Sequence, residues 1–415
     1  MSQDSDPTIV VSSPAWAHPD SREIEIVERK GRGHPDSICD ALAEAFSIGL
    51  SRAYHERCGA VLHHNVDKVL LAGGSSAPRF GGGNVTAPFD VYLAGRATRE
   101  VDGAVIPVAE IAEETSRAWL RGNLHALDAP HHVRIHSLVR PGSVALRALV
   151  AREQGPRAVA NDTSLAVGYA PPSRLEQVVL AVEEALTARS TIATHPLIGE
   201  DVKVMGVRRG HQIDLTIACA IVDHYVPGPS EYADAKTAIA QLAEHAARQT
   251  HGAHVRVAVN TADDIEAGRV YLTVTGTSAE AGDDGQVGRG NRVGGLITPC
   301  RPMTLEAAAG KNVVSHVGKS YSILAHLIAR DVVATCPEIA EATCLLVSRI
   351  GWPVETPQAV ELQIRTRNGV PLDTMREPAE AIAREHLRGV TGLARLLLDN
   401  ASVVSPAAWP GILLF

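Results

Sequence analysis

The run "VKVMGVRRGHQIDLTIACAIV", residues 202–222, constrains the fold more than any other stretch of this chain. Two halves of alternating apolar residues flank a glycine turn, which is the pattern of a β-hairpin. Hairpin-like pairs of this kind alternate with single helical segments, without a strict strand–helix–strand rhythm. That order favours layered α+β architecture over a doubly wound parallel sheet. Strands are expected at 22–28, 68–72, 87–95, 131–139, 201–208, 212–222, 254–259, 269–276, 344–350 and 360–365. Helices are expected at 107–121, 173–189, 231–249, 317–333 and 377–388. With 415 residues the chain has room for more than one core, so two or three subdomains are the default. No internal repeat and no low-complexity linker stands out in the residue string. Residues 1–20 are polar, contain proline and lack a period, and so are expected to form a mobile extension.

The charge balance, 47 acidic against 39 basic residues, argues against a broad phosphate-neutralising surface for nucleic acid. A bound phosphate would have to be held locally. Six of the basic residues are lysine (30, 68, 203, 236, 311 and 319) and the rest are arginine. In that background a lysine suggests a compact point charge for a phosphate oxygen, set against the plainer alternative of a solvated position. Lys203, Lys311 and Lys319 gain interest from their neighbours. The six cysteines (39, 58, 219, 300, 336 and 344) form no C-x-x-C pair and no metal-ligand spacing. A reducing cytoplasm is the expected location. The longest apolar run, around "LTIACAIV", is too short for a bilayer, which needs about twenty residues.

Four segments can carry chemistry. In "GRGHPDSICD" a glycine turn leads into a helix N-terminus, where exposed N–H groups favour anions and where His34 and Asp36 sit. Asp36, Asp40 and Glu44 recur at four-residue spacing on one helical face. Such a stripe is most simply a solvated face with capping carboxylates; the sharper reading makes Asp36 a magnesium ligand and His34 a donor to a leaving oxygen. "GGSSAPRFGGG" is glycine-rich but lacks the lysine and hydroxyl of a Walker loop. "ANDTSLAVGYAPP" offers Asp162, for which a turn carboxylate is the plain explanation. The last is the charged loop "GTSAEAGDDGQVGRGNRVGG", residues 276–295, together with "TPCRPMTLEAAAGKNVVSHVGK". The loop has almost nothing apolar to bury and is expected to be flexible. The glycines and alanines around Lys311, His316 and Lys319 fit either a close approach to ligand or tight helix packing.

Taken together these segments resemble the archaeal-type S-adenosylmethionine synthetases, the methionine adenosyltransferases. The resemblance runs from about residue 21 onward through eight strings in order: "ERKGRGHPDSICD", "HHNVDKV", "PRFGGG", "ANDTSLAVGYAP", "GEDVKVMG", "VNTADD", "YLTVTGTSAEAGDDGQVGRGNRVGGLITPCRPM" and "LEAAAGKN". It implies three similar α+β subdomains, interleaved within 21–415 with boundaries near 135 and 285, their sheets packed around a common centre and their helices outside. It also implies a homodimer with active sites between subunits, ATP and L-methionine as substrates, and magnesium; a potassium requirement stays open. Neither nucleic acid nor a membrane is an expected partner.

By the same resemblance His34 serves the leaving 5′ oxygen, and Asp36 binds magnesium. Lys203, Arg289 and Lys311 hold polyphosphate. Asp162 and Asp283 orient nucleoside and methionine, with Asp284 and Lys319 as further substrate contacts and Asp67 as a ligand of a second cation. The 276–295 loop would then fold around substrate. Methionine's thioether is itself a nucleophile, so no Ser–His or Cys–His pair is needed. Ser37 and Gly290 replace cations found in the bacterial and eukaryotic branch, and Ser37 is ordinary for the archaeal type. Val313, Ser315 and Ala77 depart from the archaeal pattern and leave the fine substrate preference open. Two alternatives remain, a paralogue using a methionine analogue or another nucleotide, and a silent nucleotide-binding regulatory subunit.

Overall fold

The structure is a computed structural model that describes residues 7–101, 103–142, 158–251, 255–367, 369–393 and 413–415. It is α+β, and one sheet plan occurs three times. Each sheet is built round a long antiparallel pair. These are His64–Ala72 with Phe89–Ala97, Ile198–Arg209 with Gln212–Val222, and Ile339–Val347 with Ala359–Thr366. The second strand of each pair takes a parallel neighbour, respectively Val133–Ser137, Val255–Val259 and Ile9–Ser12. The first strand takes an antiparallel neighbour, respectively Gly285–Gln286, Ile24–Lys30 and Leu165–Ala170. Two helices accompany each sheet: Pro35–Cys58 with Val108–Asn123, Arg174–Thr187 with Pro229–His251, and Val317–Thr335 with Leu372–Arg388.

The antiparallel neighbours are exchanged in a cycle. Ile24–Lys30 leads into the first unit's helix yet pairs in the second unit's sheet; Leu165–Ala170 leads into the second and pairs in the third; Gly285–Gln286 precedes the third and pairs in the first. The repeat is therefore topological and leaves no mark on the residue string, because only burial periods are shared. One apolar core, with Phe46, Phe89 and Tyr321, runs through the first and third units; another, with Val182, Ile217 and Tyr232, fills the second.

Three expectations change. The N-terminal stretch is not a mobile extension over its whole length. Ile9–Ser12 is an edge strand in register with Val360–Gln363, with Ile9 and Val11 buried, and Arg384 and Arg376 donate to the carbonyls of Pro7 and Val11. It is only four residues long, and Ile9, Val10 and Val11 are consecutive, so no alternation marks it before the partner strand is known. Second, Asp36, Asp40 and Glu44 do not line a solvated face, since all three are buried. Third, most of residues 276–295 is packed, while Asp283, Asp284 and Arg289 stay exposed. Gly285–Gln286 pairs with Leu70–Leu71, and Thr277, Glu280, Asn291 and Arg292 are buried. Backbone approach replaces apolar burial there, and a Cβ on Gly285 would lie 2.3 Å from the Pro35 carbonyl oxygen.

The Ile24–Lys30 strand inverts the usual alternation. Glu25 and Arg29 face inward, where Glu25 meets Arg208 at 3.0 Å and Arg29 pairs with Glu183, while Ile24 and Ile26 are exposed. The six cysteines are free thiols. No helix among the described residues is long and apolar enough to cross a membrane.

Candidate active site

The Pro35–Cys58 helix begins with His34 as its N-cap, whose Nδ1 accepts from the Asp36 N–H at 3.1 Å. Pro35 at the first helical position has no N–H to leave unpaired. The acceptor role of Nδ1 places the ring proton of a neutral His34 on Nε2. Burial is the largest influence on His34 and lowers its pKa, while the carboxylates of Asp201, Asp36 and Asp283 pull upward. The neutral ring is therefore favoured, with one donor available.

Below His34 the three carboxylates of the helix face form a ladder. Asp36 Oδ1 accepts from the Gln286 N–H at 2.9 Å, Asp40 Oδ1 from the Gly288 N–H at 3.1 Å, and Glu44 Oε2 from the Gly310 N–H at 3.0 Å. Spacing of four along one helix thus grips a single glycine-rich segment of the third unit. Lys30 completes the upper rung: its Nζ lies 2.9 Å from Asp36 Oδ2 and 2.9 Å from the Arg289 carbonyl oxygen. Asn291 exchanges two hydrogen bonds with the Lys30 backbone, at 2.9 and 2.8 Å. The backbone of Arg289 is held while its side chain is exposed.

Around this ladder the sequence-derived residues fall into neighbouring groups. Lys203, opposite Lys30 in the strand register, lies 3.9 Å from Glu28, which Lys30 approaches at 3.8 Å. Asp283 accepts from the Ser278 hydroxyl at 3.0 Å, and the same hydroxyl lies 2.6 Å from Asp201 Oδ2. Asp284 accepts from the Gly73 N–H at 2.8 Å, which ties the loop to the "GGSSAPRFGGG" segment. Lys311 contacts Asp67 at 3.3 Å and Glu306 at 2.9 Å. Burial opposes ionisation of Asp67, but Lys311 and Lys68 outweigh it and hold the carboxyl below its usual range.

Asp162 stands at the edge of the Lys311 group. Its carboxylate accepts from the Thr163 N–H at 2.7 Å, and two residues on Ser164 reaches Glu306 at 3.2 Å. Lys319 stands apart from any open surface. It is fully buried, with both Glu44 oxygens 2.7 Å from its Nζ.

Sequence reasoning missed Lys30, Asp40, Glu44, Asp201 and Glu306. The spacing of Asp36, Asp40 and Glu44 was visible, but their partners lie some 250 residues away, as for Gln286 with Asp36. Only the fold reveals that the stripe is buried. No three or more His, Cys, Asp or Glu side chains among the described residues form a group able to hold a metal alone. Magnesium keeps several waters and needs only one or two carboxylates beside substrate phosphates. Asp36 suits that donor set, and beside it the buried Asp40 Oδ2 has no hydrogen-bond partner among the described residues. Burial raises Asp40 to about 7, against the Gly288 N–H and Arg292.

Cations, a capping histidine and buried carboxylates meet where two units adjoin, the residue types of an enzyme site for an anionic ligand. The comparisons narrow this class. The S-adenosylmethionine synthetase family model matches residues 7–401. A probable S-adenosylmethionine synthase of Aquifex aeolicus is 49% identical over 96% of this chain and 99% of its own. The S-adenosylmethionine synthase of Pyrococcus furiosus is 47% identical, covering 94% and 98%. A solved S-adenosylmethionine synthetase from Campylobacter jejuni shares the fold, with a TM-score of 0.59 over 90% of each chain at 13% identity. The chain belongs to the S-adenosylmethionine synthetase family and is a methionine adenosyltransferase.

Proposed function

We propose that this enzyme joins ATP and L-methionine directly. The thioether sulfur attacks C5′ of ATP, the S–C5′ bond forms as the C5′–O bond breaks, and triphosphate leaves and is then hydrolysed to phosphate and diphosphate. The observation that carries the reading is the ladder, which holds Gln286, Gly288 and Gly310, close neighbours of Arg289 and Lys311, on one helix capped by His34. His34 Nε2–H donates to the departing 5′ oxygen. Lys203, Arg289 and Lys311 hold the triphosphate, so charge developing in the transition state meets cations already in place. Asp283 takes the methionine ammonium group, and Asp162 orients the nucleoside. Sulfur, carbon and oxygen are thereby aligned, and orientation supplies most of the acceleration that a nucleophilic side chain would otherwise provide.

Asp36 is the residue to hold magnesium, with Asp67 serving a second cation. The metal, when bound, neutralises phosphate charge and lowers the pKa of a water that cleaves triphosphate. A homodimer is supported by the inverted Ile24–Lys30 strand. Its register places Ile26 beside Val207 and Lys30 beside Lys203, so an exposed apolar strip continues into the cationic part of the site. The test is a product assay with ATP, L-methionine and magnesium that follows S-adenosylmethionine, phosphate and diphosphate together. Equal amounts of all three are expected. ATP binding without an adenosylated product would remove this reading in favour of a different thioether or a silent subunit.

A further inference from the structure

Lys319 and Glu44 are both fully buried, and neither reaches an open surface. Burying two ions is costly, and such a pair persists only where hydrogen bonds use the remaining valences. Here those valences lead to one turn. Both Glu44 oxygens meet Lys319 Nζ at 2.7 Å, and Oε2 also accepts the Gly310 N–H at 3.0 Å. Ser47, three residues on along the helix, donates to the Lys311 carbonyl at 3.0 Å. The Gly310 carbonyl takes the Val66 N–H at 2.9 Å, and Lys311 bridges to Asn65. Gly310 has φ +74°, and a Cβ there would come within 2.8 Å of the Asp67 Cα and the Val66 carbonyl oxygen. The turn is gripped from helix and strand at once, which fixes where the Lys311 side chain starts, and its Nζ is then held by the Ala307 carbonyl at 2.6 Å, by Glu306 and by Asp67.

We propose that Lys319 and Glu44 are a positioning pair. Lys319 contacts no substrate; it orients the Glu44 carboxylate, and Glu44 holds the Gly310–Lys311 turn so that Lys311 Nζ lies where triphosphate binds. This rests on the reading of Lys311 given above. It replaces the substrate contact that the sequence suggested for Lys319.

Two double variants of the full-length enzyme separate the roles. Glu44→Gln with Lys319→Met removes both charges but keeps a side-chain oxygen for the Gly310 N–H. Glu44→Leu with Lys319→Met removes the charges and the acceptor together. Removing both ions avoids the stranded buried charge that either single change would leave. The readouts are kcat and the separate KM values for ATP and methionine, tripolyphosphate hydrolysis, and a thermal scan to confirm folding. The Gln/Met enzyme is expected to exceed the Leu/Met enzyme by about tenfold or more in kcat and in tripolyphosphate hydrolysis, with equal KM for methionine. Equal rates in two folded variants would overturn the proposal. So would loss of triphosphate chemistry in the folded Gln/Met enzyme, because the Lys319 ammonium itself would then be required.

If the Leu/Met enzyme does not fold, Ser47→Ala tests the same turn. It should lower kcat several-fold with the methionine KM unchanged, and an unaltered kcat would count against positioning. Lys311→Met is the control for the underlying reading. Full activity in that variant would mean that Lys311 does not serve triphosphate, whatever the pair shows. Loss in Lys311→Met beside equal Gln/Met and Leu/Met rates would sink the positioning role alone.

Discussion

Single side chains carry the charge logic of the site. Lys311 is buried, with Asp67 and Glu306 within 3.3 and 2.9 Å, so it is a fixed charge and not a solvated one. A preorganised donor of this kind is worth about 10²–10³ in kcat, so Lys311→Met should lower S-adenosylmethionine formation by that factor in steady-state assays. Buried histidines contribute to the acid limit. Burial is the largest influence on His64, His316 and His326 and lowers them to about 3, about 3 and about 4. In the unfolded chain each would titrate near ~6.5. Between those values the unfolded state binds more protons, so stability is complete above pH ~6.5 and falls as pH drops toward the folded values. Thermal unfolding should show Tm declining through that window. His64→Asn, which removes the ring held by Ser47 and Asn312, should flatten the slope.

At the scale of elements, the N-terminal strand makes the clearest claim. Val11 is buried against the third unit and Val10 is half exposed. Val11→Ala should therefore cost about 2 kcal/mol in urea unfolding, whereas Val10→Ala should stay within about 0.5 kcal/mol. The longer elements were legible beforehand. The hairpin at 202–222 and the helices near 174–187, 229–251 and 317–335 follow from period and length alone. Gly285–Gln286 and Leu165–Ala170 were not, because the first is two residues long and the second, "LAVGYA", has no polar alternation to set a period. The candidate site was legible in its residue types and not in its wiring. His34, Asp36 and Lys311 could be picked out from strings, but Lys30, Asp40 and Glu44 acquire meaning only when the 286–310 segment crosses the helix.

For the whole molecule, three units of one topology exchange strands in a cycle, so no unit completes its own sheet. The exposed Ile24 and Ile26 sit on the same sheet as Lys203, so a dimer formed through them would couple assembly to the proposed polyphosphate side of the site. Ile26→Glu should shift a dimer toward monomer in sedimentation velocity and lower activity in proportion. An unchanged dimer would place the interface elsewhere. In the proposed reaction, direct displacement with held cations and orientation takes the place of any covalent enzyme intermediate. It is tested most directly by the stereochemical course at C5′, using ATP made chiral there with deuterium and reading the configuration of the S-adenosylmethionine formed. Inversion is the expected result of a single in-line attack; retention would require two displacements through a covalent intermediate on a nucleophilic side chain and would contradict direct attack by sulfur.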